Sequence, residues 1–251
     1  MKHFQKNSKY HNEVIPYHVL SRATEGRPIF QTDDDCYRFI FQMYITNQGS
    51  PAPNLHRRDI GKAAQALLRG EDIPRTFFTK EHAPLVQILS FTEVVNHYHF
   101  LLVPNKEDGI PRYMQKLNTA FARYFNIKHA RKGRLFESKY KMIPIESEAQ
   151  LDAIIRYINV KNPLDVHQPG WREHGLKDKK EAWDFLFRYP FSSFPDIFGD
   201  RNSKLIAQGS VKNQYLDRTS LYGKDSYVEF LQSAFHSSLS PELALEKVFE
   251  V

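Results

Sequence analysis

The stretch Val94-Val95-Asn96-His97-Tyr98-His99-Phe100-Leu101-Leu102-Val103 constrains this chain more than any other. The apolar run Phe100–Val103 reads as a strand, and on a strand residues i and i+2 share a face. His97 and His99 then project from one side and the Tyr98 ring from the other. Two imidazoles on a rigid support can grip one divalent metal ion. In a chain with 11 histidines such a pair also occurs as surface or core residues that bind nothing, so its weight depends on its surroundings. The single cysteine, Cys36, excludes an internal disulfide and any cysteine-based zinc site. It stands among Asp33, Asp34, Asp35 and Tyr37 at a helix start and reads as half-buried.

The other elements follow from periodicity and capping. Tyr17–Arg22 alternates and is β-prone, giving a first strand that Gly26-Arg27-Pro28 breaks. Thr32 with three aspartates after it makes a helix N-terminus, and Phe39, Ile40, Met43 and Tyr44 continue at helical spacing. Asp59–Gly70 is a short helix within a longer connection. Leu85–Val95 is a second strand, hairpinned near Asn96 to the strand with the histidines. Pro111 opens a long helix striped by Met114, Leu117, Phe121, Tyr124 and Phe125. Tyr124 lies in that stripe and reads as a packing residue. Phe136–Ile145 is a fourth strand, and Ser147 with Gln150 has the form of a capping box.

The helix that follows buries Leu151, Ile154, Ile155 and Ile158, with Tyr157 on the rim of the stripe and its hydroxyl accessible. Asn162-Pro163 ends it. The order β-α-β-β-α-β and a further helix suits an α+β, ferredoxin-like split βαβ sheet with helices on one face. Residues 1–198 form that domain, with an insertion around 51–82. Residues 199–251 form a small C-terminal helical appendage, with amphipathic helices at Gly223–Phe235 and Pro241–Phe249.

Charge is concentrated. The chain carries a net +6. Between Ile110 and Pro144 stand nine cations (Arg112, Lys116, Arg123, Lys128, Arg131, Lys132, Arg134, Lys139, Lys141) against one acid, Glu137. A block of this kind is the footprint of a polyanion, most often nucleic acid, or else a solvated face. No apolar run approaches the ~18–20 residues that cross a bilayer. The start, Met1-Lys2-His3-Phe4-Gln5-Lys6-Asn7, has no signal-peptide core. An intracellular protein without a membrane partner is expected.

Taken in order, the motifs resemble a family. The pieces are Tyr17-His18-Val19-Leu20-Ser21-Arg22, Pro28-Ile29-Phe30, Asn96–Val103, Gly133-Arg134-Leu135-Phe136-Glu137-Ser138-Lys139-Tyr140-Lys141, Arg156-Tyr157-Ile158 with Asn162-Pro163, and Tyr189-Pro190-Phe191-Ser192-Ser193-Phe194. Across roughly residues 14–198 they resemble the single-tyrosine HUH transposases, in particular the REP-associated tyrosine transposases of bacteria and their IS200-like relatives.

The resemblance implies that His97 and His99 are metal ligands and Tyr157 the nucleophile. It also implies single-stranded or hairpin DNA as partner, a cytoplasmic setting, and leaves a homodimer open. The chain departs from the family pattern at Val95, where proline is usual, and in a Tyr157 to Asn162-Pro163 spacing one residue longer than normal. The slot one turn past the tyrosine, where relatives often complete the metal shell, holds Lys161. Asn162 or Gln150 is then the candidate third ligand, and Lys161 a cation that assists the phenol. His18 reads as a core histidine or as a partner that holds a ligand histidine.

A site of two imidazoles and an oxygen, without thiolates and with positions open to substrate, suits Mg²⁺ or Mn²⁺. Such an ion polarises a phosphodiester, and a tyrosine can attack it to give a covalent 5′-phosphotyrosine and a free 3′-OH. Arg131, Lys132, Arg134, Lys139 and Lys141 are the candidate DNA contacts. Two other classes stay open: a domesticated DNA-binding protein of the same fold without nicking activity, and a metal-dependent hydrolase unrelated to nucleic acid.

Overall fold

The computed structural model describes residues 14–48, 59–78, 83–137 and 139–216. In chain order these form β1 (Tyr17–Arg22), α1 (Asp33–Asn47), α2 (Ile60–Leu68), β2 (Val86–Val94), β3 (His97–Pro104), α3 (Gly109–Lys128) and β4 (Lys141–Pro144). After them come α4 (Glu148–Arg156), a π-helical turn (Tyr157–Lys161), α5 (Asn162–His167), α6 (Trp171–His174), α7 (Lys179–Arg188), α8 (Phe194–Phe198) and α9 (Ser210–Tyr215). The sheet order is β2-β3-β1-β4 and every neighbouring pair is antiparallel. β3 is thus inserted between β1 and β2, which is the split βαβ topology expected from the element order. Among the described residues no helix is long and apolar enough to cross a membrane.

One face of the sheet is aromatic and carries the two crossover helices. Phe39 of α1 packs on Tyr98 at 4.6 Å between ring centroids and on Phe121 of α3 at 5.1 Å. Tyr113 of α3 meets Phe100 at 6.0 Å. Thr32 caps α1 in a full capping box with Asp35. Asp35 is itself buried and receives Lys128 Nζ at 2.6 Å and the Tyr124 hydroxyl at 3.0 Å. Burial pushes its carboxyl up, and the hydrogen bonds from Lys128, Thr32 and Tyr124 outweigh it, so it stays charged below the usual range. This clasp ties α1 to the end of α3. Tyr124 therefore lies on the aromatic side of the sheet.

The opposite face is covered as well. α4, the π-turn and α5 lie across it, which the expectation of helices on one face did not include. Asn159 is the anchor: its Nδ2 donates to Ser90 Oγ of β2 at 2.7 Å, and its Oδ1 accepts from Ser193 Oγ at 2.6 Å. A bulge between Ile88 and Ser90 sets Ser90 opposite Leu101, on the same side as His18 and His99. The outer edge of β2 is closed by the later chain. Glu93 N donates to Phe191 O, Ser193 N to Phe91 O and Ala207 N to Ile88 O, all at 2.8–2.9 Å. An edge covered in this way cannot recruit a foreign strand.

Two expected boundaries move. Residues 199–216 belong to the main body, because Leu205, Ile206, Ala207, Tyr215 and Leu216 are buried in the common core. The helices expected at Gly223–Phe235 and Pro241–Phe249 lie outside the described residues. Within the expected insertion, α2 packs Ala63, Ala64 and Leu67 into the same core. The fourth strand is Lys141–Pro144 rather than Phe136–Ile145. β1 gives way after Arg22 to a turn with Glu25 at φ 59° and Gly26 at φ 62°, which removes the partner for a longer ladder. Phe136 keeps a single bridge to Ala23.

Candidate active site

β3 presents His97 and His99 as the period of a strand dictates, on the face away from α1 and α3. In the ladder Leu20 stands opposite His99 and Arg22 opposite His97, so His18 lies diagonally beside His99. His18 Nε2 and His99 Nδ1 are 2.9 Å apart, with the two rings stacked 8° from parallel. His99 thereby spends its Nδ1 on His18, and its Nε2 is buried with no hydrogen-bond partner. A buried imidazole nitrogen left without a partner calls for a ligand. The His97 ring lies 4.9 Å from that of His99, and its Nδ1 is 2.6 Å from Asn96 Oδ1. Since the amide oxygen only accepts, Nδ1 of His97 carries the proton and Nε2 the lone pair.

All three imidazoles are held neutral. Burial lowers His18 and His97 to about 3, with Arg22 and Arg172 adding to the effect at His97. Burial holds His99 well below the ordinary histidine value, and its neighbours His97 and His18 and the two arginines reinforce that. Neutral imidazole is the form that ligates a metal.

Tyr157 enters from the covering helix. Its ring meets His99 edge-on at 5.4 Å and His18 at 6.3 Å. It is 5% exposed, against the expectation of a rim position, because the sheet lies on one side and the Arg172 guanidinium, 5.3 Å from the ring centroid, on the other. The π-turn explains the long spacing to Asn162-Pro163. Asn162 N donates to Tyr157 O, an i→i+5 bond. In a regular helix residue i+5 stands roughly 140° round the axis from residue i. The wider turn folds Asn162 back toward the side of Tyr157, and Arg172 reaches both, with Nη2 3.4 Å from Asn162 Oδ1. The extra residue is absorbed within the π-turn.

The other candidates fall into place by contact. Gln150 is corrected: its Oε1 accepts from Glu146 N at 2.7 Å and its backbone N donates to Ser147 Oγ, so it caps α4 two turns before Tyr157. A carbonyl committed about 10 Å up the helix is not a ligand beside the histidines. Lys161 is half-buried at the end of the π-turn, while the cation over the tyrosine ring is Arg172. Arg131 is half-buried and knits its own turn, donating to Asn126 Oδ1 at 2.7 Å and to Arg134 O at 3.4 Å. Lys132, Arg134, Lys139 and Lys141 are exposed.

This basic segment runs beside the histidine end of the sheet. Thr24 N donates to Leu135 O and Glu137 N to Arg22 O, the residue opposite His97. Lys141 stands opposite Leu20, which stands opposite His99, so all three share one face. The motif reading missed Arg172 and Asp165. Their only sequence signal was the Pro169-Gly170 turn, which says nothing of where the loop returns.

The residues fit a divalent ion of hard character. Among the described residues no third His, Cys, Asp or Glu joins the pair in a ligand cluster. The donors that the geometry shows on this face are two neutral imidazoles, one with an orphaned nitrogen, and no thiolate stands among them.

Comparison with known proteins gives the following. No curated protein matches the chain. A solved structure described as a REP-associated tyrosine transposase bound to a REP hairpin is similar over 83% of this chain and 93% of its own, at 9% identity and a TM-score of 0.41. The family model described as IS200-like transposase matches residues 71–161. That stretch runs from before β2 to Lys161, and carries both histidines and the tyrosine. Residues 71–161 thus match the model of the family that the motifs resemble.

Proposed function

We propose that the chain is a metal-dependent single-stranded DNA endonuclease and strand transferase with Tyr157 as nucleophile. The observation that carries the reading is the meeting of three groups: the orphaned Nε2 of buried His99, the His97 ring at 4.9 Å and the Tyr157 ring at 5.4 Å. His97, His99 and Asn162 would hold Mg²⁺ or Mn²⁺, which when bound polarises the scissile phosphodiester. The Tyr157 oxygen forms a bond to phosphorus as the bond from phosphorus to the 3′ oxygen breaks. The phenol proton leaves and the 3′ oxygen gains one, so the products are a 5′-phosphotyrosine and a 3′-OH. Nothing is oxidised or reduced, and the ester bond energy is kept for rejoining.

His18 orients His99, and hence its unpartnered Nε2. Exposed Lys132, Arg134, Lys139 and Lys141 track the DNA backbone toward the site. Phosphate contacts of this kind carry affinity rather than sequence. A backbone flexible enough to reach a tyrosine on a sheet face points to single-stranded DNA or to the strand beside a hairpin.

The test is incubation of labelled single-stranded hairpin DNA with Mn²⁺ and either wild type or Tyr157→Phe, followed by a denaturing gel. A shifted covalent band with wild type and none with the variant is expected. One observation favours a second reading. Tyr157 is 5% exposed, as in a domesticated DNA-binding protein that keeps the fold and has lost nicking. DNA retained on a native gel with no covalent band from wild type selects that reading.

A further inference from the structure

Between His167 and Gly175 the chain makes a short excursion, Gln168-Pro169-Gly170-Trp171-Arg172-Glu173-His174-Gly175, to which the motifs assign no chemistry. Gly170 and Gly175 adopt φ of 81° and 74°, a region that disfavours any residue with a Cβ. Gln168 closes the loop, its Nε2 donating to Gly175 O at 2.8 Å and its Oε1 accepting from Lys177 N at 3.0 Å. The single turn α6 then carries Trp171 and Arg172 back against α5. Asp165 receives both. Trp171 Nε1 donates to Asp165 Oδ1 at 2.8 Å, and Arg172 grips the same carboxylate with Nε on Oδ1 at 3.0 Å and Nη2 on Oδ2 at 2.7 Å.

Two parallel bonds to a carboxylate fix a guanidinium in place and in plane. Held so, Arg172 lies 5.3 Å from the Tyr157 ring centroid and 3.4 Å from Asn162 Oδ1. The side chain is 26% exposed, so it forms part of the roof over the ring. One residue touches both groups that the π-turn brings together.

We infer that Arg172, locked by Asp165, is the positioning residue of this site, holding the Tyr157 ring and the Asn162 amide toward His97 and His99. The inference rests on the reading of Tyr157 as nucleophile only for its effect on rate. Lysine cannot replace arginine here, because a point charge on a flexible stem has neither the fork for Asp165 nor the flat face for the ring. Arg172→Lys therefore keeps the charge and removes the positioning.

The test uses the full chain as wild type, Arg172→Lys, Arg172→Gln and Asp165→Asn. The first readout needs neither metal nor DNA: the nuclear Overhauser contact between the Tyr157 and His99 rings. It is measured in tyrosine-labelled protein and assigned by the signal lost in Tyr157→Phe. It is expected in wild type and to weaken at least threefold in all three variants. The second readout is the rate of covalent adduct formation with labelled hairpin DNA and Mn²⁺. In Arg172→Lys the maximal rate should fall at least tenfold, with the half-saturating DNA concentration within twofold of wild type, because misplacement of a nucleophile costs rate rather than binding.

An unchanged ring contact in folded Arg172→Lys and Asp165→Asn overturns the inference. So does a rate loss that appears wholly as weaker DNA saturation, which would make Arg172 a phosphate contact. Should Arg172→Gln fail to fold, the lysine and asparagine variants carry the test. A ring contact that depends on Arg172 in a wild type that forms no adduct supports the inference and removes the nucleophile reading alone.

Discussion

His99 shows how much one residue's environment can say. One ring nitrogen is bound to His18, the other is buried without a partner, and the ring is neutral. Replacing both His97 and His99 with alanine is expected to abolish Mn²⁺-dependent cleavage and Mn²⁺ binding while single-stranded DNA is still retained on a native gel. The third ligand separates two amides. Asn162→Ala should lower Mn²⁺ affinity by at least tenfold, the loss expected for a ligating group. Gln150→Ala should leave it unchanged and cost about 1 kcal/mol of stability through the lost helix cap. Isothermal titration with Mn²⁺ and urea unfolding read the two effects.

The buried histidines also set a pH dependence. His18 is lowered from the ordinary histidine value to about 3 in the folded state. Below roughly pH 6.5 the unfolded chain binds the proton that the native state refuses, so stability is full above that pH and is lost as pH falls toward 3. A melting temperature that declines from pH 7 to 4, with a shallower decline in His18→Gln, is expected. At this scale the sequence was legible where a local period rules. The i, i+2 spacing correctly paired His97 with His99. It was silent on Arg172, whose contact with Tyr157 depends on two glycines with positive φ and on a return path that no spacing encodes. The rim position read for Tyr157 failed for the same reason, since the group that covers the ring comes from that loop.

Elements were legible where caps mark them. Thr32 and Ser147 start α1 and α4 as their side chains require. β4 was misread because Phe136 and Leu135 are apolar and buried for a different purpose: they pin the loop to the end of β1. The π-turn is the most consequential element. A spacing that reads as a departure from the family pattern has a structural cause, because the π-turn takes up the extra residue and bonds Asn162 N to Tyr157 O. Asn159 fastens this turn to the sheet through Ser90 and Ser193. Asn159→Ala would leave two buried hydroxyls short of a partner, and a loss of about 2–3 kcal/mol in urea unfolding is expected. The same variant should slow adduct formation, because the helix that presents Tyr157 loses its anchor.

At the scale of the molecule the sheet has two assignments. Its aromatic face is committed to α1 and α3 and makes the core. Its other face carries His18, His97, His99 and, at the rim, Lys141, under a cover of α4, the π-turn and α5. The element order announced the topology, yet not that the later helices turn the second face into a site. The basic segment lies on the side where this site needs it, with Glu137 bonded to Arg22 opposite His97. Lys132→Glu with Arg134→Glu, both exposed, is expected to weaken binding of unrelated single-stranded DNAs about equally. It should also reduce the slope of log affinity against log salt by about 1.5. Fluorescence anisotropy between 50 and 300 mM salt measures it. Arg131 is the poorer choice, since it holds its own turn together.

The central claim is that Tyr157 forms the covalent bond to DNA, and peptide mapping of the adduct tests it most directly. Wild-type protein is incubated with single-stranded hairpin DNA and Mn²⁺, treated with nuclease to trim the DNA, and digested with trypsin. Cleavage after Arg156 and Lys161 releases the peptide Tyr157–Lys161, with Tyr157 as its only tyrosine. The account predicts a nucleotide mass increment on that peptide by mass spectrometry. The increment on Tyr124–Lys128, or on any other tyrosine peptide with Tyr157–Lys161 unmodified, would contradict it.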